Sequence, residues 1–311
     1  MTGIMSSAVV AVLLCLASPA GASDGGWGYV IEKLVADGVE RTRVEWAYAR
    51  LPRFSRVGFS IDPVESGAMY RKQLSARSVS AARACQARHH EWLEATEARS
   101  GVPASVVSAL LHVETSCGAY TGRSIVLHRL SRLAMANEPA NLRDNIERWT
   151  DGEPLARREE IEQRVRARGR YLEDTFYPEV LATFELARKL DIDPLAIRGS
   201  VSGAFGLPQF LPTSYLRFAV DGNGNGKVSM YEPADAIASA ANYLVAHGWR
   251  PDLTRAERRR VLWAYNHSDA YIDTVLTLTD RLEEPHPSII VRAAASPAPA
   301  DADGESLAPA E

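Results

Sequence analysis

The chain has 311 residues, 46% hydrophobic and 24% charged, with a formal net charge of −4. These are the proportions of an ordinary globular protein long enough for one large core or two small ones. The slight acidity argues against nucleic acid as a partner, and lysine, found only at Lys33, Lys72, Lys189 and Lys227, says little about what the protein meets.

Residues 1–22 contain an apolar run, AVVAVLLCLAS, too short to span a bilayer, followed by AGA before Ser23, and they read as an export signal. An uncleaved anchor is the competing reading. Leu14 precedes Cys15 where lipoprotein processing needs a small residue, so the expectation is a soluble periplasmic protein without a lipid anchor. No later run is apolar for long enough to cross a membrane.

Helical spacing covers Tyr29 to Asp37 and Val44 to Arg50. The turn-rich LPRFSRVGFSIDPVESG that follows reads as a wrapping arm. Ser80 to Arg99 is expected to be one helix, leading through Ser100 and Gly101 into a central helix on which it packs. That central stretch is GVPASVVSALLHVETSCG, with Pro103 suited to its first turn and Gly118 to its C-terminal cap. Val107, Leu110, Leu111 and Glu114 share one face, which puts a carboxylate on an apolar stripe and predicts that it is largely buried. A carboxyl so placed keeps its proton towards neutral pH, as a general acid requires. A structural glutamate, capped or paired with arginine, has the same pattern.

Leu127 to Ala136 reads as a further helix, and Asn137 to Arg170, charged and weakly apolar, as a solvated helical insertion. Tyr177 to Leu190 is helical and is followed by a glycine-rich loop and a proline-bounded turn at Leu207 to Pro212. Ala234 to His247, Ala256 to Asn266 and Tyr271 to Leu282 complete the helices. Residues 286–311, rich in Ala, Pro, Asp and Glu, read as a disordered tail after a domain spanning 23–285. With almost no alternating pattern, the fold class is mainly α.

DGNGNGKVSMYE fits an EF-hand loop at Asp221, Asn223, Asn225, Gly226 and Glu232, with two asparagines where acidic residues are usual. A glycine-rich turn without metal is the plainer reading. After the export signal the cysteines are Cys85 and Cys117, a pair that exported proteins can bridge, although spacing alone does not show that the sulfurs meet. The histidines show no zinc spacing with them. GSVSGAFGLPQF lets a ligand approach the backbone, with Gln209 as a polar handle; a tight turn is the alternative. AYNHSDAYI adds an amide and two phenols, a mixture that sugar sites favour.

GVPASVVSALLHVETSCG, then GSVSGAFGLPQFLPTSY, then the calcium-like loop running into DAIASAANYLVAHGW resemble, in this order, the lytic murein transglycosylases of the B type. With YRKQL and AYNHSDAYI the resemblance covers about residues 65–282. It implies a lysozyme-like helical fold binding peptidoglycan glycan strands and cleaving between N-acetylmuramic acid and N-acetylglucosamine, without water, to leave 1,6-anhydro ends. By position, Glu114 is implied as the single acid and base. Ser200, Gln209, Phe210, Tyr243, Tyr265, Asn266 and Tyr70 are implied as groove residues. No cofactor is implied for the chemistry. Asp221, Asn223, Asn225, the Lys227 carbonyl and Asp235 are implied as calcium ligands, with Asp235 in place of the Glu232 that the generic loop pattern uses. His112, where the family commonly has a small residue, and Cys117, where an aromatic is common, are departures. A hydrolytic muramidase, a non-catalytic glycan-binding protein and a calcium sensor are the competing readings.

Overall fold

Residues with helical spacing fold as helices through most of the chain. The structure, a computed structural model, describes residues 25–62 and 67–285; the export signal and the tail lie outside these. In chain order the helices are α1 (Gly28–Ala36), α2 (Arg41–Ala49), α3 (Gly67–Tyr70) running into a 3-10 turn (Arg71–Leu74), α4 (Ala76–Arg88) and α5 (His90–Ser100). There follow α6 (Ala104–Thr115), α7 (Val126–Ala134), α8 (Pro139–Thr150), α9 (Leu155–Lys189), α10 (Pro212–Phe218), α11 (Pro233–Ala246), α12 (Arg255–Tyr265) and α13 (Asp269–Glu283). Among the described residues the one sheet is the antiparallel pair β1 (Ser124–Ile125) and β2 (Arg198–Gly199), with Ser124 opposite Gly199. The mainly α class is borne out. No described helix is long and apolar enough to cross a membrane.

The chain divides into two compact units, one of which joins the described part of Met1–Phe59 to Ser131–Tyr177. Its apolar centre includes Val30, Leu34, Val44 and Met135. Trp27 packs on Tyr48 and Phe54, with ring centroids 5.5 and 5.1 Å apart. The arm after Leu51 has no helix to satisfy its backbone, so side chains take that place. Asn141 and Asn145, buried one turn apart on α8, accept the N–H groups of Val57 and Phe59 at 2.6 and 3.1 Å, and Asn145 donates back to the Val57 carbonyl at 2.8 Å. The charged segment from Asn137 thus folds as α8 and the first part of α9 with these asparagines, Ile161 and Val165 turned inward. Glu173, also buried, accepts from Tyr29 at 2.8 Å and Asn137 at 2.9 Å and pairs with Lys33. Burial alone raises its pKa, but the bonds from Lys33, Asn137 and Tyr29 outweigh it and leave the carboxyl below the ordinary glutamate value.

The second unit joins Ser60–Leu130 to the described part of Pro178–Glu311. Val106, Leu110, Ile237, Leu244, Leu262 and Val275 form part of its core, with α6 packed against α4, α5, α11 and α13. Three expectations are corrected here. Ser80 to Arg99 is two helices, broken at His89 (φ −112°), which lets α4 and α5 pack separately on α6. The helix expected from Tyr177 begins at Leu155 and runs through Pro178, because Glu and Arg, good helix formers, carry it outward. The turn ending at Pro212 is the start of α10: Pro212 opens the helix, and Glu179 caps it by accepting from the Thr213 N–H (2.9 Å) and hydroxyl (2.5 Å).

Candidate active site

On α6, Val107, Leu110 and Leu111 are buried as their spacing requires. Glu114, at the end of the same stripe, is half-buried where burial was expected, because α6 stops one residue later, at the edge of the core. Pro103 is the N-cap, just outside the first turn. The C-terminal cap is Ser116 in place of Gly118: the Ser116 N–H reaches the His112 carbonyl at 2.8 Å and the Cys117 N–H reaches Leu111 at 3.1 Å. Ser116, Cys117 and Gly118 all have left-handed backbone, with φ of 50°, 57° and 86°. For the two residues with a Cβ this costs on the order of 1–3 kcal/mol each. A disulfide joins Cys117 to Cys85 on α4, with Cα atoms 6.4 Å apart.

Tyr271, in the first turn of α13, donates its hydroxyl to Glu114 Oε1 at 2.5 Å. Burial, reinforced by the Glu114 carboxylate, holds the Tyr271 pKa well above that of a free phenol, so this hydroxyl remains a donor. The Tyr70 ring stands edge-on to Tyr271 at 6.0 Å. Burial and then Glu114 raise Tyr265 in the same way. Tyr265 donates to the Pro208 carbonyl at 2.5 Å, which ties the end of α12 to the glycine-rich loop. A second cluster joins Phe210, Tyr243 and Tyr265, with Tyr243 5.6 Å from Phe210 and 4.9 Å from Tyr265.

Gln209, at φ 49°, turns its amide back to the Gly206 carbonyl (2.9 Å) and to that of Thr121 (3.3 Å). Gly206 has φ 72° and a Cβ there would lie 2.2 Å from Met230, so only glycine brings this loop against Met230. The Thr115 hydroxyl donates to the Leu207 carbonyl at 2.9 Å, fastening the residue after Glu114 to the same loop. Ser200, half-buried just after β2, donates its N–H to the Ala204 carbonyl at 2.7 Å, and isolated bridges pair Gly199 with Phe205 and Phe205 with Phe210. Asn266 caps α12 beside Tyr265 and is half-buried.

The Asp221 loop is a separate group. Asp221 accepts the N–H groups of Gly224 and Gly226, both at 2.7 Å, and these backbone bonds hold its carboxyl below the usual aspartate value. Asp235, fully buried in the first turn of α11, accepts from Gly222 at 2.8 Å and Ser229 at 2.7 Å, one from each end of the loop. Asn223 and Asn225 accept the N–H of Asn225 and Lys227 at 3.0 and 2.8 Å, while Glu232 takes the Asn223 amide at 2.7 Å. Two of the loop's ligand positions are asparagines, and no group of three His, Cys, Asp or Glu side chains placed to hold a metal occurs among the described residues.

Residues 27–258 match the family described as the transglycosylase SLT domain. The chain belongs to that family. Over 150 residues it is 35% identical to the membrane-bound lytic murein transglycosylase B of Escherichia coli K12, a match covering 48% of this chain and 32% of that protein. The chain therefore spans about a third of this curated relative. In fold it is similar to an Escherichia coli lytic transglycosylase solved with calcium, with TM-score 0.60 and 20% identity over 86% of this chain and 94% of that one. It is similar also to Pseudomonas aeruginosa SltB3 solved with a NAG-NAM-pentapeptide, with TM-score 0.60 and 20% identity over 85% and 81%. The helical, lysozyme-like fold is thus that of lytic transglycosylases. Tyr271 is the site residue that the sequence reading left unassigned; its signal was the second phenol of AYNHSDAYI, placed where a helix begins.

Proposed function

We propose that this SLT-domain protein is a peptidoglycan lytic transglycosylase with Glu114 as its single acid and base. The observation that carries the reading is the Glu114 carboxyl held by a buried phenol beside a cluster of aromatic side chains. When Glu114 is protonated, the oxygen that accepts the Tyr271 hydroxyl is the carbonyl one, so the transferable proton sits on the other. From there it passes to the glycosidic oxygen between N-acetylmuramic acid and N-acetylglucosamine as that bond breaks. The carboxylate then takes the proton of the C6 hydroxyl as it closes on the anomeric carbon, leaving a 1,6-anhydro end. Glycosidases that use two carboxyl groups place the second against the same bond; the groups described above against Glu114 are phenols. In this reading Ser200, Gln209, Phe210, Tyr243, Tyr265 and Tyr70 line the glycan path, and Asn266 orients the acetamido group.

The Asp221 loop suits a hard cation, since its donors are all oxygens and Asp235 is a buried carboxylate held from both ends of the loop. Asp221, Asn223, Asn225, the Lys227 carbonyl and Asp235 would hold calcium, which supplies charge to close the loop and takes no part in bond cleavage. The solved relative with calcium supports this choice. A periplasmic location fits this reading, since the apolar run in residues 1–22 reads as an export signal and the proposed substrate is the wall.

Mass spectrometry of fragments released from purified peptidoglycan tests the reaction. The expected fragments end in anhydro sugars; fragments heavier by one water would make the protein a hydrolytic muramidase.

A further inference from the structure

We propose that the Cys85–Cys117 disulfide positions Glu114, so that turnover as well as stability follows its oxidation state; this rests on Glu114 being the reacting carboxyl. Ser116 and Cys117 have φ of 50° and 57° two and three residues after Glu114. Side chains with a Cβ resist that region, so the turn persists only where its surroundings hold it. Two attachments to α4 do so. One is the disulfide itself, from Cys85, which is buried. The other is His112, 3% exposed on the last turn of α6, with Nε2 2.8 Å from Ser78 Oγ on α4 and Nδ1 4.0 Å from Cys117 Sγ. The imidazole thus touches both α4 and the bridge.

The effect of the disulfide reaches the site by a short path. Thr115 lies between Glu114 and the turn, and its hydroxyl holds the Leu207 carbonyl of the loop that carries Gln209. If Ser116 and Cys117 relax to negative φ, the last turn of α6 loses its cap bonds, and the carboxyl moves relative to Tyr271 on α13. A shift of this kind alters the reacting geometry more than glycan binding, which is spread over several side chains.

Dithiothreitol provides the reduced state: it gives two electrons and two protons, the S–S bond becomes two thiols, and the reagent closes to its cyclic disulfide. Peptidoglycan cleavage is measured on oxidised and reduced wild type well below their melting temperatures. Mass spectrometry of alkylated peptides reports the state of Cys85 and Cys117. Reduction is expected to lower kcat by about tenfold to a hundredfold, with KM little changed and full recovery on reoxidation. Cys117→Ala should show the same loss, whereas Cys117→Gly should recover most of it, because glycine takes left-handed backbone without the bridge. A reduced, folded wild type with the kcat of the oxidised form overturns the proposal. So does wild-type turnover in folded Cys117→Ala, a result that leaves the disulfide a stabilising cross-link only. An oxidised wild type that releases no fragments overturns the functional reading first.

Discussion

In the unit built on α1, α2, α8 and the first part of α9, buried polar side chains hold backbone and neighbouring helices; around α6, apolar side chains fill the interior. Asn141, Asn145 and Glu173 are interior groups of the first unit, each satisfied by named partners. Leu110, Ile237 and Val275 have the corresponding place in the second. An apolar interior is sensitive to volume, whereas a polar one is sensitive to losing a partner. Glu114 stands where the apolar interior ends, close enough to be held by a buried phenol and open enough to meet a polymer.

This contrast can be broken from either side. Leu110→Ala empties a fully buried position of the second unit and should cost about 2–5 kcal/mol in denaturant unfolding. A cost under about 1 kcal/mol would show that α6 is not central to that core. Calcium should stabilise the same unit selectively, by about 2.7 kcal/mol at a hundredfold excess over Kd. Hydrogen exchange reads this locally: amides of the Asp221 loop and α11 should slow, and those of α1 and α8 should not. Unchanged exchange in the loop at millimolar calcium would remove the ion from the account.

The smallest of these effects belongs to the polar unit. Glu173→Gln leaves Lys33 without its carboxylate and should cost about 1–3 kcal/mol. Because the folded pKa of Glu173 lies below the ordinary value, its contribution is fully present above about pH 4.3. It is lost as the pH falls through the depressed folded value. Acid titration of α1 amide exchange should show that loss in the wild type and not in the variant.

Much of the second unit was legible in the sequence because its signals are periodic or local. Val107, Leu110 and Leu111 announce their shared face, and the loop that holds Asp221 is written in consecutive residues. What was not legible depends on partners distant in the chain. Nothing near Asn145 says that it will bond the backbone of Phe59, and nothing near Pro212 says that Glu179 will cap the helix it begins. The half-exposure of Glu114 and the choice of Ser116 as cap arise from where α6 stops, a matter of a few residues that periodicity does not resolve. Tyr271 was visible as a phenol, but its bond to Glu114 comes from the packing of α13 on α6.

If one carboxyl group performs both proton transfers, Glu114→Gln removes both at once. The amide keeps the shape and can still accept the Tyr271 hydroxyl, but it can neither give nor take the proton. Fragment release from purified peptidoglycan should fall by about 10⁴-fold or more, since each lost transfer is worth roughly 10²–10⁴. Circular dichroism and glycan binding should remain those of the wild type. Near-normal release by the folded variant would contradict the account and leave Glu114 a structural partner of Tyr271.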